Sequence, residues 1–386
     1  MIYRACEPYL RKIASQFPVV LITGPRQSGK TTLARYAFPD YSYVSLENLD
    51  TADRAREDPR GFLAQYHLRV IFDEIQRLPS LLSYLQQIVD EHPQPGSFII
   101  TGSQQFNLMA AATQSLAGRI GRLELLPFST GEIYKYNPSL LTDSTTSIRR
   151  GWYPPIIDRS LDADLWYENY IATYLERDVR QIDNIRDLLT FRRFLSLCAG
   201  RTAQLVNLSE LAGECGVSHN TIKAWLSVLE ASYLVKLVQP YYRNFNKRIV
   251  KTPKLYFLDT GLAARLLGIR TDDQLANHPL RGALFETYVF GELLKKRMNG
   301  QAQWEIYFWR DHGGTEVDFI LETDGTLTAV EVKSGATFHP DFTTNLSRFA
   351  GFAGSDLTHA ALIYGGMEAF TFKDVSVVPW DRMDRM

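Results

Sequence analysis

Residues 24–31 read GPRQSGKT, a run whose glycines, lysine and hydroxyl are the groups needed to hold a polyphosphate. Gly24 and Gly29 let the backbone turn its N–H groups inward around phosphate oxygens, and a following helix adds the positive end of its dipole. Lys30 can reach the β and γ oxygens, and the Thr31 hydroxyl can ligate Mg²⁺, with Thr32 next in the nucleotide-binding set. The stretch LRVIFDEI (68–75) supplies the second half of such a site. Asp73 would hold Mg²⁺ through water, and Glu74 would polarise an attacking water. Ser103, at the tip of FIITGS, is placed either to sense the γ-phosphate or to cap a strand end, and both readings stand. The chemistry expected is Mg²⁺-dependent ATP binding and hydrolysis.

A phosphate loop needs a strand before it and a helix after it. PVVLIT (18–23) is a short apolar strand and SGKTTLARYAF continues as a helix. LRVIFDEI and SFIITGS are two more apolar strands ending in polar residues, so the alternation of strand and helix predicts an α/β parallel sheet. In SLAGRIGRLELLPFS, Arg119 and Arg122 are the candidates for an arginine finger, which would act on a neighbouring subunit and so require a homo-oligomer. A plain surface arginine is the stronger reading for Arg122, while Arg119 stays open.

Beyond the Pro/Ser/Thr-rich stretch at 130–150, which marks a boundary, residues 164–199 carry apolar residues at helical spacing. NLSELAGECGVSHNTIKAWLSVLEASYLV (207–235) reads as two helices about a turn at Gly216, capped by Ser209 and Ser218. With strands KLVQPYY and KLYFLD behind them, they predict a winged helix-turn-helix. YYRNFNKRIVKTPK (241–254) carries Arg243, Lys247, Arg248, Lys251 and Lys254 without an acid, interleaved with Tyr241, Tyr242 and Phe245. Such a wing suits phosphate contact and base stacking, though a solvated charged face fits equally. The second helix is poorly basic, with Lys223 alone, which argues against sequence-specific groove reading.

The far end holds a second constellation. In TEVDFILE, alternation puts Glu316 and Asp318 on one strand face and Val317 and Phe319 on the other. In AVEVKS, Glu331 and Lys333 share a face, with Val330 and Val332 buried opposite. An Asp, a turn and then E-x-K resemble the PD-(D/E)XK nuclease pattern, although Val317 stands where the pattern has proline. Asp318 and Glu331 would supply hard oxygen ligands to Mg²⁺ or Mn²⁺, and Lys333 would orient a bound water or stabilise developing charge. Glu286, on the helix RGALFETYVFGELL, matches the first acidic position of that pattern and joins the metal set. Glu292 on the same helix is a weaker candidate, with solvation or capping as its better reading. A salt-bridged strand face is the plain alternative.

The bounds agree with a multidomain protein. The chain has 386 residues, 45% hydrophobic and 22% charged, with a formal net charge of −1. That length predicts two or three domains, and that charge excludes a uniformly basic nucleic-acid coat while leaving room for a local basic patch. Cys6, Cys198 and Cys215 match neither a disulfide framework nor a zinc spacing. No signal peptide or membrane-length apolar run is present, so the expectation is a cytoplasmic protein without a membrane partner.

The blocks FPVVLITGPRQSGKTTL, IFDEIQRLP, ITGS, SLAGR, LLPFS, YLERDV and KTPKLYFLDTGLAARLLG resemble a family of prokaryotic AAA-type ATPases fused to a C-terminal domain of unknown function. The resemblance spans nearly the whole chain and implies an ATPase core, a winged helix and a nuclease-like end. The expected organisation is an ATPase domain at 1–150, a helical linker with winged helix at 151–274, and a nuclease-like domain at 275–386. The expected function is a Mg²⁺-dependent ATPase coupled to a nuclease acting on nucleic acid, DNA ahead of RNA. The alternative is an ATP-switched regulatory or interaction protein whose end domain binds without cutting.

Overall fold

The computed structural model describes residues 2–66, 68–103, 115–175, 187–242 and 251–383. The chain divides into two compact units. The first takes in residues 1–128 with the short pieces 231–233 and 298–301, and the second takes in 129–230, 234–297 and 302–386. The expected parts 151–274 and 275–386 therefore fall, almost entirely, in one unit.

The first unit is built on five strands: β1 (Val19–Thr23), β2 (Ser42–Ser45), β3 (Val70–Asp73), β4 (Phe98–Gly102) and β5 (Ile120–Glu124). Their order across the sheet is β2-β3-β4-β1-β5, and every pairing is parallel. Strands covered on both faces must be apolar throughout, which explains why VVLIT and FIITG are unbroken apolar runs. The pleat sends alternate residues to opposite layers. Val19 and Leu21 pack with Phe72, Ile100 and Leu85 on one face, while Val20 and Ile22 pack with Leu33, Ile71 and Ile99 on the other. Each such side chain contributes about 1.5–3 kcal/mol on burial.

The division between the two units falls at 128/129, at the start of the Pro/Ser/Thr-rich segment expected to mark a boundary; the segment itself is helical, over Thr130–Tyr136 and Ser144–Arg150. Its polar residues are caps: Ser129 and Glu132 form a reciprocal capping box, and Asp143 accepts from the Thr146 N–H. Composition alone does not separate a loop from two closely spaced helix starts. Of the expected long helix, Ala163–Tyr170 and Leu188–Ala199 form, with a π-type turn at Ile171–Leu175; residues 176–186, which hold most of YLERDV, lie outside the described residues.

Leu208–Cys215 and His219–Ala231 form the helix pair, joined through Gly216 at φ 69°. Asn207, not Ser209, caps the first of them, accepting from the Glu210 N–H at 3.1 Å. Ser218 caps the second through the Thr221 N–H at 3.1 Å. Strands β6 (Gln204–Leu205), β7 (Val235–Val238) and β8 (Lys254–Phe257) form an antiparallel sheet in the order β6-β8-β7.

Six further strands follow the helix Arg281–Met298: β9 (Glu305–Arg310), β10 (Glu316–Thr323), β11 (Thr326–Lys333), β12 (Leu357–Tyr364), β13 (Phe370–Phe372) and β14 (Val375–Pro379). They are ordered β13-β14-β12-β11-β10-β9. The β9-β10-β11 meander is antiparallel, and β11 runs parallel to β12 after the helix Thr344–Ala353. The simple alternation expected for TEVDFILE fails because a β-bulge interrupts β10 between Val317 and Ile320. Val317 and Ile320, three positions apart, enter the same core, whereas Phe319 packs against Tyr256 and Phe290. A bulge of this kind re-aims the side chains beside it. Among the described residues no helix is long and apolar enough to cross a membrane.

Candidate functional site

The phosphate loop leaves β1 and enters the helix Lys30–Ala37. Gly24 sits at φ 147°, and a Cβ there would lie 2.1 Å from the Leu125 carbonyl oxygen, so only glycine fits that approach. Gly29 occupies the N-cap at φ 94°. Buried Arg4 clamps the loop from outside, donating to the Ser28 carbonyl at 2.9 Å and the Leu126 carbonyl at 2.6 Å. The Lys30 ammonium is folded back onto the Gly24 and Pro25 carbonyls at 3.1 and 2.9 Å. Burial lowers its pKa to about 8, against the opposing pull of the Glu74 and Asp73 carboxylates. Thr32 is exposed on the first turn of that helix.

Asp73 ends β3, and its carboxylate is held by hydroxyl donors: Thr31 at 2.9 Å, Tyr43 at 2.8 Å and, in a short contact, Thr101. Burial and this bond push the Tyr43 phenol up to about 12. The hydroxyl–carboxylate pair of Thr31 and Asp73 is a hard-oxygen donor set that fits Mg²⁺. Glu74 follows in left-handed backbone at φ 59°, a conformation costing a non-glycine residue about 1–3 kcal/mol and common where a site fixes a side chain. Its carboxylate accepts from Gln76 Nε2, which also donates to Ser103 Oγ at 3.2 Å. Glu74 and Ser103 are thus bridged by Gln76. Tyr43, Thr101, Gln76 and Arg4 escaped the sequence reading; only Gln76, two residues past Glu74, carries a positional signal.

Arg119 precedes β5 and is ion-paired with Asp90 of the same chain, its side chain 37% exposed. Arg122 is exposed on β5.

In the second unit, Asp318 and Glu331 are buried and Glu286 is half-buried. Asp318 Oδ2 accepts the Val332 N–H at 2.8 Å. Glu331 accepts from Lys333 Nζ at 2.6 Å, and its other oxygen is buried without a hydrogen-bond partner. Burial, then the charge of Asp318, pushes Glu331 up to about 8. Burial and Asp318 likewise push Glu286 up to about 7, against Lys254, and burial raises Asp318. Val330 and Val332 are buried as expected. Glu292 is buried and caps rather than solvated, accepting from the Thr130 N–H at 2.8 Å.

Among the described residues no group of three or more His, Cys, Asp and Glu side chains is arranged to hold an ion; the carboxylates expected to hold one face a cation that the sequence reading placed elsewhere. Lys254, counted in the basic wing, is 2% exposed and ion-paired with Glu286 at 3.0 Å and with Glu316. It cannot contact nucleic acid. Tyr241 is buried in the core with Trp309 and cannot stack on a base, whereas Tyr242 is exposed. Arg243, Phe245, Lys247 and Arg248 lie outside the described residues; Lys251 and Lys223 are exposed.

An AAA domain matches residues 16–134. Two domains of unknown function, DUF8612 and DUF4143, match residues 142–273 and 281–383. Uncharacterized proteins Rv2008c of Mycobacterium tuberculosis and Mb2031c of Mycobacterium bovis are each 32% identical over 379 residues, covering 97% of this chain and 82% of theirs. A distant structural likeness is the Walker-type ATPase PABY2304 of Pyrococcus abyssi, with a TM-score of 0.44 and 14% identity over 69% of this chain and 96% of that one. With its phosphate loop, its parallel sheet and a third of its residues shared with those relatives along almost its full length, the chain belongs to their family of AAA-type P-loop ATPases carrying a C-terminal DUF4143 region.

Proposed function

We propose that this protein hydrolyses Mg²⁺-ATP and uses the nucleotide cycle to switch a module that engages nucleic acid. The observation that carries the first half is the Thr31–Asp73 contact at 2.9 Å, with Lys30 and Glu74 beside it. In the nucleotide-bound state Lys30 would leave the Gly24 and Pro25 carbonyls for the β and γ oxygens. Thr31 and Asp73 would hold Mg²⁺, which supplies charge neutralisation at the phosphates. Glu74 would orient the attacking water and accept its proton. The Gln76 bridge would report γ-phosphate loss between Glu74 and Ser103. Lys30→Ala should abolish hydrolysis and weaken ATP binding, whereas Glu74→Gln should bind and not turn over.

For the second half, 151–274 is read as a helical linker with a winged helix and 275–386 as a PD-(D/E)XK-like domain. The order helix, β9, β10, β11, helix, β12 supports the latter, with Glu286, Asp318, Glu331 and Lys333 in the matching positions. Binding without cleavage is the favoured reading, because Lys254 already compensates the carboxylates that would have to take a metal ion. Incubating the pure protein with duplex, single-stranded and branched DNA and with RNA, with and without Mg²⁺, Mn²⁺ and ATP, tests it. Retention without scission supports binding; metal-dependent scission that Asp318→Ala removes overturns it.

A further inference from the structure

Strand β8 places Lys254 and Tyr256 two positions apart, hence on one face. Lys254 Nζ and Tyr256 OH both donate to Glu286 Oε1, at 3.0 and 2.5 Å. The same ammonium pairs with Glu316, whose other oxygen meets Arg310 at 3.2 Å. Lys333 pairs with Glu331. Glu286, Glu316, Asp318 and Glu331 thus face Lys254, Lys333 and Arg310, and the cluster is nearly neutral without any ion from solution. Buried carboxylates left unpaired would be strongly unfavourable. The ammonium also lies 5.5 Å from the Phe308 ring centroid.

We infer that Lys254 is the resident cation of this cluster: held between Glu286 and Glu316, it supplies the positive charge a divalent ion would bring, so the site assembles and persists without metal. Lys254 is a positioning residue, setting Glu286 and Glu316 rather than reacting. The inference deepens the reading of 275–386 as a nuclease-like domain that does not cut, but it concerns charge balance and can fail alone. Lys254→Met keeps most of the side-chain volume and removes the charge. It opens the cluster to an ion.

The test uses the full chain without nucleotide, following Mn²⁺ by electron paramagnetic resonance and melting by intrinsic fluorescence. The wild-type cluster should take up no Mn²⁺ and melt at the same temperature in Mn²⁺ or in chelator. Lys254→Met should melt lower in chelator, gain one Mn²⁺ equivalent and recover with it. The double variant Lys254→Met with Glu286→Gln should recover without Mn²⁺, since the uncompensated charge is gone, and it serves if the single variant does not fold. The inference is overturned if wild type takes up Mn²⁺ as Lys254→Met does. It is equally overturned if neither Mn²⁺ nor Glu286→Gln restores the variant. No nucleic acid enters these readings, so their outcome is independent of whether the domain binds or cuts it.

Discussion

Thr31 Oγ1 lies within hydrogen-bond reach of both carboxylate oxygens of Asp73, at 2.9 and 3.0 Å. The two groups expected to hold the metal beside the nucleotide therefore hold each other. On the proposed reading, binding Mg²⁺-ATP would exchange that bond for ligation, in a site preset rather than assembled on binding. Thr31→Ala should leave metal-free ATP affinity near wild type and raise the Mg²⁺ concentration for half-maximal hydrolysis by at least ~10-fold, a loss of ~1.4 kcal/mol. A titration of phosphate release against Mg²⁺ checks it; an unchanged midpoint removes Thr31 from the metal site.

Lys30 titrates near pH 8 because burial outweighs its acidic neighbours. Below that pH it is already charged; above it, much of the population is neutral. Bound phosphates favour the charged form and raise its pKa. ATP binding should therefore take up part of a proton at pH 8.5 and essentially none from Lys30 at pH 6.5. Calorimetry at pH 8.5 in two buffers of different ionisation enthalpy measures the uptake, and equal heats in both would contradict it.

Glu331 presents the opposite sign. Burial, then Asp318, raises its folded pKa from 4.5 to about 8, so the folded chain holds a proton that the unfolded chain loses near its ordinary value. Its stabilising contribution is complete below about pH 4.5 and is lost as pH rises through about 8. Melting of the second unit should fall over that window in wild type, and Glu331→Gln should flatten the fall. Parallel wild-type and variant curves would show that Glu331 is ionised throughout.

Arg119 is ion-paired with Asp90 in the single chain, so action on a neighbour's nucleotide requires that pair to open. If it is a finger, Arg119→Ala lowers hydrolysis at least ~10-fold with ATP affinity intact, and mixing with Lys30→Ala partly restores the rate. A strictly monomeric protein with full activity, by light scattering and phosphate release, excludes the role.

The parts legible in the sequence are those where one local rule acts alone. Gly24, Gly29 and Lys30 announce a phosphate loop because only glycine tolerates its backbone, and buried β1 and β4 announce themselves as unbroken apolar runs. Short β2, with the sequence SYVS, carries no such signal. Asn207 displaced Ser209 as a cap because several polar residues before a helix compete for the role. The β10 bulge shifts the alternation by one residue and cannot be read from composition. Lys254 was misplaced because a basic run records charge without direction: Lys254 turns inward from its strand, whereas Lys251 is exposed. That error concealed the metal question until the folded chain put Lys254 beside Glu286.

Phosphate release by the wild-type protein, Glu74→Gln and Lys30→Ala under Mg²⁺-ATP tests the central claim most directly. The account predicts turnover in wild type, ATP binding without turnover in Glu74→Gln, and neither tight binding nor turnover in Lys30→Ala. Wild-type turnover that survives in either variant would contradict it.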